Sequence, residues 1–395
     1  MITFENTEIA FKSKTDKDLV RAFWLFKIIG YPRIVKFGKW FTEIALKFNL
    51  PMDGIIKKTI FKQFCGGINI QDCTSKINEL SEYKIGTILD YSVEGKTEDI
   101  DFEKTTQEII ETILKAKANP AIPFAVFKIT GIATFSILEK SNDIKNELSE
   151  IEKKAYLEII HRVERICEEA YKNNVPVFID AEESWIQDSI DRITLSMIMQ
   201  FNKEKAIVFN TLQMYRHDRI DFLKKLIVDA HSGNYYYGIK LVRGAYMEKE
   251  RERAVVHGYC SPIQNTKEDS DNDYNKALEL ICNNLDYLAL CAGTHNEQSS
   301  LYLTQLIAEK GLDKTSEKIY FAQLLGMSDH ISYNLASKDF RVAKYVPYGP
   351  IKEVLPYLLR RADENTSVTG QTSRELSLLS IEKNRRKKIN VHIAS

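Results

Sequence analysis

The sequence predicts an α/β chain wound as a (β/α)8 barrel behind an N-terminal helical arm. Three observations point there. Eight short runs rich in β-branched and aromatic residues recur along the chain, and segments of helical composition separate them. The runs are apolar throughout rather than alternating, as strands buried on both faces must be, so the sheet is parallel. Eight such units within roughly 280 residues close into a barrel instead of spreading as an open sheet.

The elements follow in order. Residues 1–82 read as the helical arm. Within it, Leu19 to Phe48 mixes many aromatics with Arg21, Lys27, Arg33, Lys36, Lys39 and Lys47. Two readings stand for it: aromatics packed on the main domain, or an amphipathic surface for an anionic membrane. Ile56 to Glu82 reads as helical, interrupted at Gly66-Gly67. Residues 83–395 hold the barrel, with strands expected at Ile85–Val93, Phe124–Thr130, Val175–Ala181, Ala206–Leu212, Tyr236–Val242, Tyr287–Ala292, Lys318–Leu324 and Val342–Tyr348. Helical segments such as Glu152–Asn173 and Asp218–Ala230 lie between them. Glu248–Asn275 is a long polar excursion after the fifth strand, a position where barrel loops cover a ligand. Gly349-Pro350 breaks the eighth strand, and a helix follows over about 351–368 with apolar Val354, Leu355, Leu358 and Leu359. Beyond it, Arg374–Lys388 is a basic tail carrying Lys383, Arg385, Arg386, Lys387 and Lys388, expected to be solvated or to meet anionic lipid.

Bulk properties narrow the function. The chain has 395 residues, 44% of them hydrophobic, enough for a large core and an enzyme-sized fold. Lys+Arg and Asp+Glu balance at 55 each, which removes the electrostatic footprint of a nucleic-acid binder. The six cysteines are scattered, without metal spacing or a C-x-x-C pair, as reduced thiols in a reducing compartment would be. No stretch reaches the roughly 18 apolar residues that span a bilayer, and the N-terminus lacks a signal or transit pattern. A cytoplasmic location is expected, with peripheral contact at the inner face of the membrane left open.

Polar residues recur where strands end, and a barrel gathers those ends around one mouth. Lys128 sits in the second strand. Asp180-Ala181-Glu182-Glu183 ends the third, Asn210 and Gln213 belong to the fourth, and Lys240 to the fifth. Gly293-Thr294-His295-Asn296 ends the sixth, Gln323 lies in the seventh and Tyr345 in the eighth. Each alone has a structural explanation, as a helix cap, a snorkelling lysine or a satisfied histidine. Together they do not share one, because each buried polar group costs about 2 to 7 kcal/mol unless paired. The mouth is therefore an active site. On the last helix Arg360 and Arg361 form an adjacent pair, with Glu364 on the same face to brace them, and two guanidinium forks suit a planar carboxylate. Lys128 and the arginines supply cations, and Asp180 an anion to hold one or both. Gly244-Ala245 lets backbone approach a large ligand. Walker, G-x-S-x-G and Cys/His metal patterns are missing, so a small carboxylate or zwitterion with a bulky neutral partner fits best.

The segments FKITGIA, FIDAEES, IVFNTLQMY, IKLVRGAYMEKERERA, GTHN, QLLGM and YVPYGPIKEVLPYLLRRADENTS together resemble the proline dehydrogenases over about Phe61 to Ser367. These are flavin enzymes with a distorted TIM-like barrel, found alone or as one domain of bifunctional proline-utilisation enzymes. The resemblance implies that Arg360 and Arg361 grip the carboxylate of L-proline, that Lys128 completes the anion site, and that Asp180 orients Lys128 while Glu364 braces the arginines. Tyr345 is implied to pack on the proline ring, with Tyr246 and Leu324 as walls. For FAD the implied contacts are Ala181, Asn210, Lys240, Arg243, Gly244, Ala245, Thr294 and His295, with Lys240 also tuning the flavin and Asp180 counted with it as catalytic. The implied reaction is hydride transfer from proline to FAD, giving Δ1-pyrroline-5-carboxylate. Electrons then pass to a membrane quinone, and the product to a separate pyrroline-5-carboxylate dehydrogenase.

Three positions depart from the family pattern. Lys240 stands where many bacterial members have Arg, Asn210 where bifunctional enzymes have Gln, and Cys65-Gly66-Gly67-Ile68 lacks the Glu that closes an ion gate on the second arginine. The competing readings are a hydroxyproline dehydrogenase, a Schiff-base lyase built on Lys128 and Lys240, and a non-catalytic metabolite-binding barrel.

Overall fold

The computed structural model describes residues 2–31, 33–36, 38, 53–92, 98–367 and 371–394, with the backbone alone at 53, 55, 363–367, 371, 372 and 390–394. The stretch 39–52 of the expected basic, aromatic arm lies outside the described residues.

All eight expected strands form: β1 (Ile85–Tyr91), β2 (Phe124–Lys128), β3 (Val177–Asp180), β4 (Val208–Gln213), β5 (Tyr237–Val242), β6 (Leu288–Gly293), β7 (Ile319–Leu324) and β8 (Val342–Tyr348). They pair in parallel in sequence order, and β8 closes on β1 over seven residue pairs from Ile85–Val342 to Tyr91–Tyr348. Besides the short helical segments Asp53–Ile56 and Lys62–Phe64, the described α-helices, in chain order, are α1 (Thr7–Ala10), α2 (Asp16–Ile29), α3 (Thr74–Ser81), α4 (Asp99–Lys117), α5 (Phe135–Asn142), α6 (Glu150–Asn173), α7 (Ser184–Phe201), α8 (Arg219–Gly233), α9 (Met247–His257), α10 (Lys267–Cys282), α11 (Glu297–Glu309), α12 (Asp329–Ala336), α13 (Ile351–Ser367) and α14 (Gln371–Ala394). A π-helical turn, Lys57–Phe61, precedes α3. Local chemistry sets several starts. Ser149 with Glu152 and Thr266 with Asp269 form reciprocal capping boxes at α6 and α10.

Strand alternation divides the apolar residues into two layers. Ile88, Phe124, Val126, Phe178, Phe209, Ala289, Cys291, Tyr320, Ala322, Ala343 and Tyr345 fill the lumen, with Phe124 stacked on Phe178 at 4.4 Å between ring centroids. Large rings need small neighbours. Gly238 is one such neighbour, since a Cβ there would lie 2.4 Å from the Phe209 ring. The opposite strand faces, including Ile179, Leu212, Ile239, Leu241 and Leu290, form the larger core against the helices.

The two chain ends meet rather than project. Phe11, Leu19, Ala22, Phe26 and Ile29 of the arm pack with Phe61, Phe64, Val354, Leu355, Leu358, Leu378 and Leu379 in a third cluster, which joins α2 to α13 and α14. Phe4, Ile77 and Leu80, from before residue 83, enter the same core as the barrel helices. The basic tail is likewise neither simply solvated nor turned outward. Arg385 and Arg386 pair with the fully buried Glu382 at 2.8 and 2.7 Å, and Arg386 also reaches Asp16 and the carbonyls of Lys14 and Phe11. Lys383 lies over the Phe23 ring. The charges fasten α14 to the arm; Lys387 and Lys388 stay exposed.

Candidate active site

The C-terminal strand ends converge as the barrel geometry requires. At the centre, Asp180 Oδ1 accepts from Lys240 Nζ at 2.6 Å and from the Tyr345 hydroxyl at 3.2 Å, while Lys240 and Tyr345 are 2.5 Å apart. The three come from β3, β5 and β8, and each side chain points into the lumen. The Lys240 ammonium also lies 4.1 Å from the centroid of the Tyr345 ring, which is parallel to Phe178 within 5°. Burial, and then the Asp180 carboxylate, push the Tyr345 phenol well above its usual range, so it stays a donor.

Lys128 ends β2 on the rung beside Asp180. Its charge acts on Asp90, Glu182 and Tyr246, so it stands among them. Both acids are buried. Glu182 accepts from the backbone N–H of Thr130 at 3.0 Å and pairs with the Thr130 hydroxyl. Burial pushes its carboxyl up to about 7 against the opposing pull of Lys128. Asp90 accepts from Ser92 Oγ at 2.6 Å, and burial raises it too.

α13 carries the arginine pair. Arg361 is 8% exposed with its guanidinium 5.1 Å from the Tyr357 ring centroid, and its charge reaches His295; the charge of Arg360 reaches Tyr246. The adjacent forks therefore address different groups at the mouth, one after β5 and one after β6. Glu364 falls where only the backbone is described. Leu324 ends β7, half-buried, and Tyr246 heads α9. Ile68, at the gate position, is apolar and 37% exposed.

A second group lines the β5–β6 side. Arg243 donates through Nε to Asp271 at 2.6 Å, and through its two terminal nitrogens to Thr294 Oγ1 at 2.7 Å and Ser299 Oγ at 2.8 Å. Three of its five N–H groups are thereby used, and each terminal nitrogen keeps one. His295 Nδ1 lies 2.9 Å from Ser328 Oγ, and burial with the nearby Lys344 and Arg361 charges pushes the imidazole down to about 3. It is neutral. Ala181 is buried beside Asp180, whereas Ala245 is exposed. Gly244 adopts φ +130°, but the space a Cβ would take is filled by the Tyr215 ring at 2.5 Å. Its close approach is thus to Tyr215.

Asn210 requires a correction. It shares a rung with Ile179 and Ile239, both outward, and its amide donates to Asp191 at 3.1 Å and Tyr237 at 3.2 Å, within the helical layer. Asp191 in turn pairs with Arg219 at 2.7 Å. The same alternation sends Gln323 outward to Ser332. The fourth-strand residue that turns inward is Gln213, whose buried carbonyl oxygen has no hydrogen-bond partner among the described residues. Asp90, on the first strand, completes the set that strand-end reading passed over. An open cavity of about 360 Å³ lies outside the mouth, between α9 and Ser261–Asn265; no predicted site residue lines it.

This is a barrel mouth that gathers Asp180, Lys240 and Tyr345 at the strand ends, with two arginines on the helix that follows β8. The family profile described as proline dehydrogenase matches residues 73–374. Proline dehydrogenase 1, mitochondrial, of Dictyostelium discoideum is 33% identical, covering 96% of this chain and 74% of that protein. Hydroxyproline dehydrogenase of Xenopus laevis is 29% identical over 95% of this chain and 88% of that one. Among solved structures, proline utilization A (PutA) from Bdellovibrio bacteriovorus inactivated by N-propargylglycine superposes with a TM-score of 0.73 at 20% identity. It covers 94% of this chain, which spans 40% of that longer one, so it speaks to the fold. The chain belongs to the proline dehydrogenase family, oxidoreductases that act on proline. Among the described residues no helix is long and apolar enough to cross a membrane, and no group of His, Cys, Asp and Glu has metal-site geometry.

Proposed function

We propose that the chain oxidises L-proline to Δ1-pyrroline-5-carboxylate with FAD as its resident cofactor. The observation that carries this reading is the Lys240–Asp180–Tyr345 cluster, set among Lys128 and the two arginines of α13. Arg360, Arg361 and Lys128 hold the substrate carboxylate, and the Tyr345 ring packs against the pyrrolidine. These cations also favour the unprotonated amine, so no strong base is needed. Asp180 keeps Lys240 and Tyr345 in place, and Tyr246 and Leu324 exclude water from the ring.

The residues fit a flavin. The unmet Gln213 carbonyl, the remaining N–H groups of Arg243, and Lys240, Thr294, His295 and Ala181 are the groups that would hold it. FAD, when bound, would accept the hydride from the proline carbon next to nitrogen. A membrane quinone is the proposed final acceptor, and a separate pyrroline-5-carboxylate dehydrogenase takes the product. The face of α2 with Val20, Trp24 and Ile28 exposed beside Lys27 supports peripheral membrane contact at the inner face.

Hydroxyproline is the rival substrate, supported by the Xenopus relative. In this reading the bulk of Tyr345 against the pyrrolidine leaves little room for a ring hydroxyl, which favours proline. The test is the visible spectrum of the purified protein, followed by anaerobic addition of L-proline and, separately, trans-4-hydroxy-L-proline. Bleaching of flavin bands by L-proline is expected; no bands after reconstitution with FAD would overturn the proposal.

A further inference from the structure

α14 has no part in the reaction as described, yet its first described turn reaches the loops of the mouth. Glu375 is 3% exposed, and its Oε1 accepts the backbone N–H of Ser328. Ser328 is fully buried at φ 51°, ψ 41°, the left-handed region that strains a serine unless its surroundings hold it there. It heads α12, but its hydroxyl does not cap the helix. That hydroxyl lies instead 2.9 Å from His295 Nδ1. On the other ring nitrogen, the backbone N–H of Leu324 approaches Nε2 at 3.5 Å. Nε2 therefore carries the lone pair, and Nδ1 donates its hydrogen to Ser328 Oγ.

The same turn grips the loop on the other side. Arg374 pairs with Glu297 at 2.8 Å, just after the Thr294-His295 pair. Through α12, Ser332 donates to Gln323 at 2.8 Å, and Gln323 donates to the Thr294 carbonyl at 3.1 Å. Two adjacent residues of α14 thus brace the turns after β6 and β7, the first of which carries Thr294 and His295.

We propose that Glu375 and Ser328 are positioning residues for His295: through them α14 locks the imidazole as its neutral Nδ1–H tautomer and fixes one wall of the cofactor site. The inference rests on the reading of His295 as a flavin contact. Glu375 sets the backbone of Ser328, Ser328 sets the ring, and the ring sets the wall.

The experiment uses the full chain with 15N-labelled histidine, His295 being assigned by loss of its signals in His295→Gln. In the unaltered protein, Nδ1 is expected to resonate as a protonated nitrogen and Nε2 as an unprotonated one. Ser328→Gly keeps the left-handed backbone and removes only the hydroxyl, so it should fold normally while the two nitrogens move to averaged positions. Its Kd for FAD, measured on apoprotein, should rise about 5- to 10-fold, the loss of one buried hydrogen bond. Glu375→Ala should do the same. Glu375→Gln, whose amide oxygen still accepts from Ser328, should restore both the tautomer signature and an FAD Kd within about 2-fold of the unaltered protein. A fixed Nδ1–H signature and unchanged FAD affinity in both Ser328→Gly and Glu375→Ala overturn the inference. A protein with the fixed tautomer but no affinity for FAD overturns the flavin reading instead, leaving the positioning of His295 intact.

Discussion

Asp180→Asn tests the centre of the mouth. Among the described residues Asp180 is the single carboxylate bonded to Lys240, at 2.6 Å, with the Tyr345 hydroxyl on the same oxygen at 3.2 Å. The lysine and aspartate side chains are only 9% and 13% exposed, so water does little to replace the pair. Asparagine keeps the shape and an acceptor oxygen while it removes the charge. An ammonium left buried without its counterion costs about 3 to 5 kcal/mol, and the retained amide hydrogen bond returns about 1 kcal/mol of that. A loss of about 2 to 4 kcal/mol in unfolding free energy is therefore expected from denaturant titration. Lys240→Met in the same background should recover part of it, because both charges are then gone and a coupling energy separates pair from singles. Activity should fall with stability, since the oxygen that orients Lys240 and Tyr345 no longer carries charge. Asp180→Asn with an unchanged denaturation midpoint and kcat/KM within about 2-fold would refute the cluster as the organiser of the mouth.

Three further outcomes follow from the same geometry. Arg361→Met should raise the KM for L-proline by an amount equivalent to about 2 to 5 kcal/mol while leaving the flavin spectrum intact, and an unchanged KM would sink the carboxylate assignment. Glu182, whose folded-state carboxyl titrates near 7 against an ordinary 4.5, favours the protonated form in the fold. Its stabilisation is present below pH 4.5 and lost as pH rises through 7, so Glu182→Gln should remove that slope and make the protein more stable at pH 8, by on the order of 3 kcal/mol; an identical pH–stability profile would contradict this. Arg386→Ala should lower stability by about 1 to 3 kcal/mol by leaving the buried Glu382 with less compensation, whereas a variant changed only in vesicle binding would favour the lipid reading of the tail.

Much of the mouth was legible because each of its residues breaks a pattern. Lys128, Asp180, Lys240 and Tyr345 interrupt strands that are otherwise apolar, and such interruptions are costly enough to signal function. Asn210 and Gln323 broke the same pattern and misled, because in a (β/α)8 barrel both faces of a strand are buried. A polar residue can satisfy itself in the helical layer as readily as in the lumen, and only the alternation phase tells which. That phase was available for β4, where inward Phe209 places Asn210 outward and Gln213 inward, but a run apolar on both faces gives it no visible marker. Asp90 interrupts the expected strand Ile85–Val93 in the same way, so its signal was in the sequence and was passed over.

The sequence by itself determined the closed barrel, the position of every strand to within a few residues, the arginine pair on the final barrel helix and the family. Strand runs, helical periods and short connections are local signals, and their number alone dictates closure. Only the tertiary structure decided what the two chain ends do. The charges of the C-terminal tail read as solvated or lipid-facing because, apart from Glu382 on the same helix, their partners Glu8, Asp16 and the carbonyls of Phe11 and Lys14 lie more than three hundred residues away in sequence. Helix periodicity carries no record of such distant pairings, and the hold of Glu375 on Ser328, and of Ser328 on His295, exists only where the folded loops bring them together.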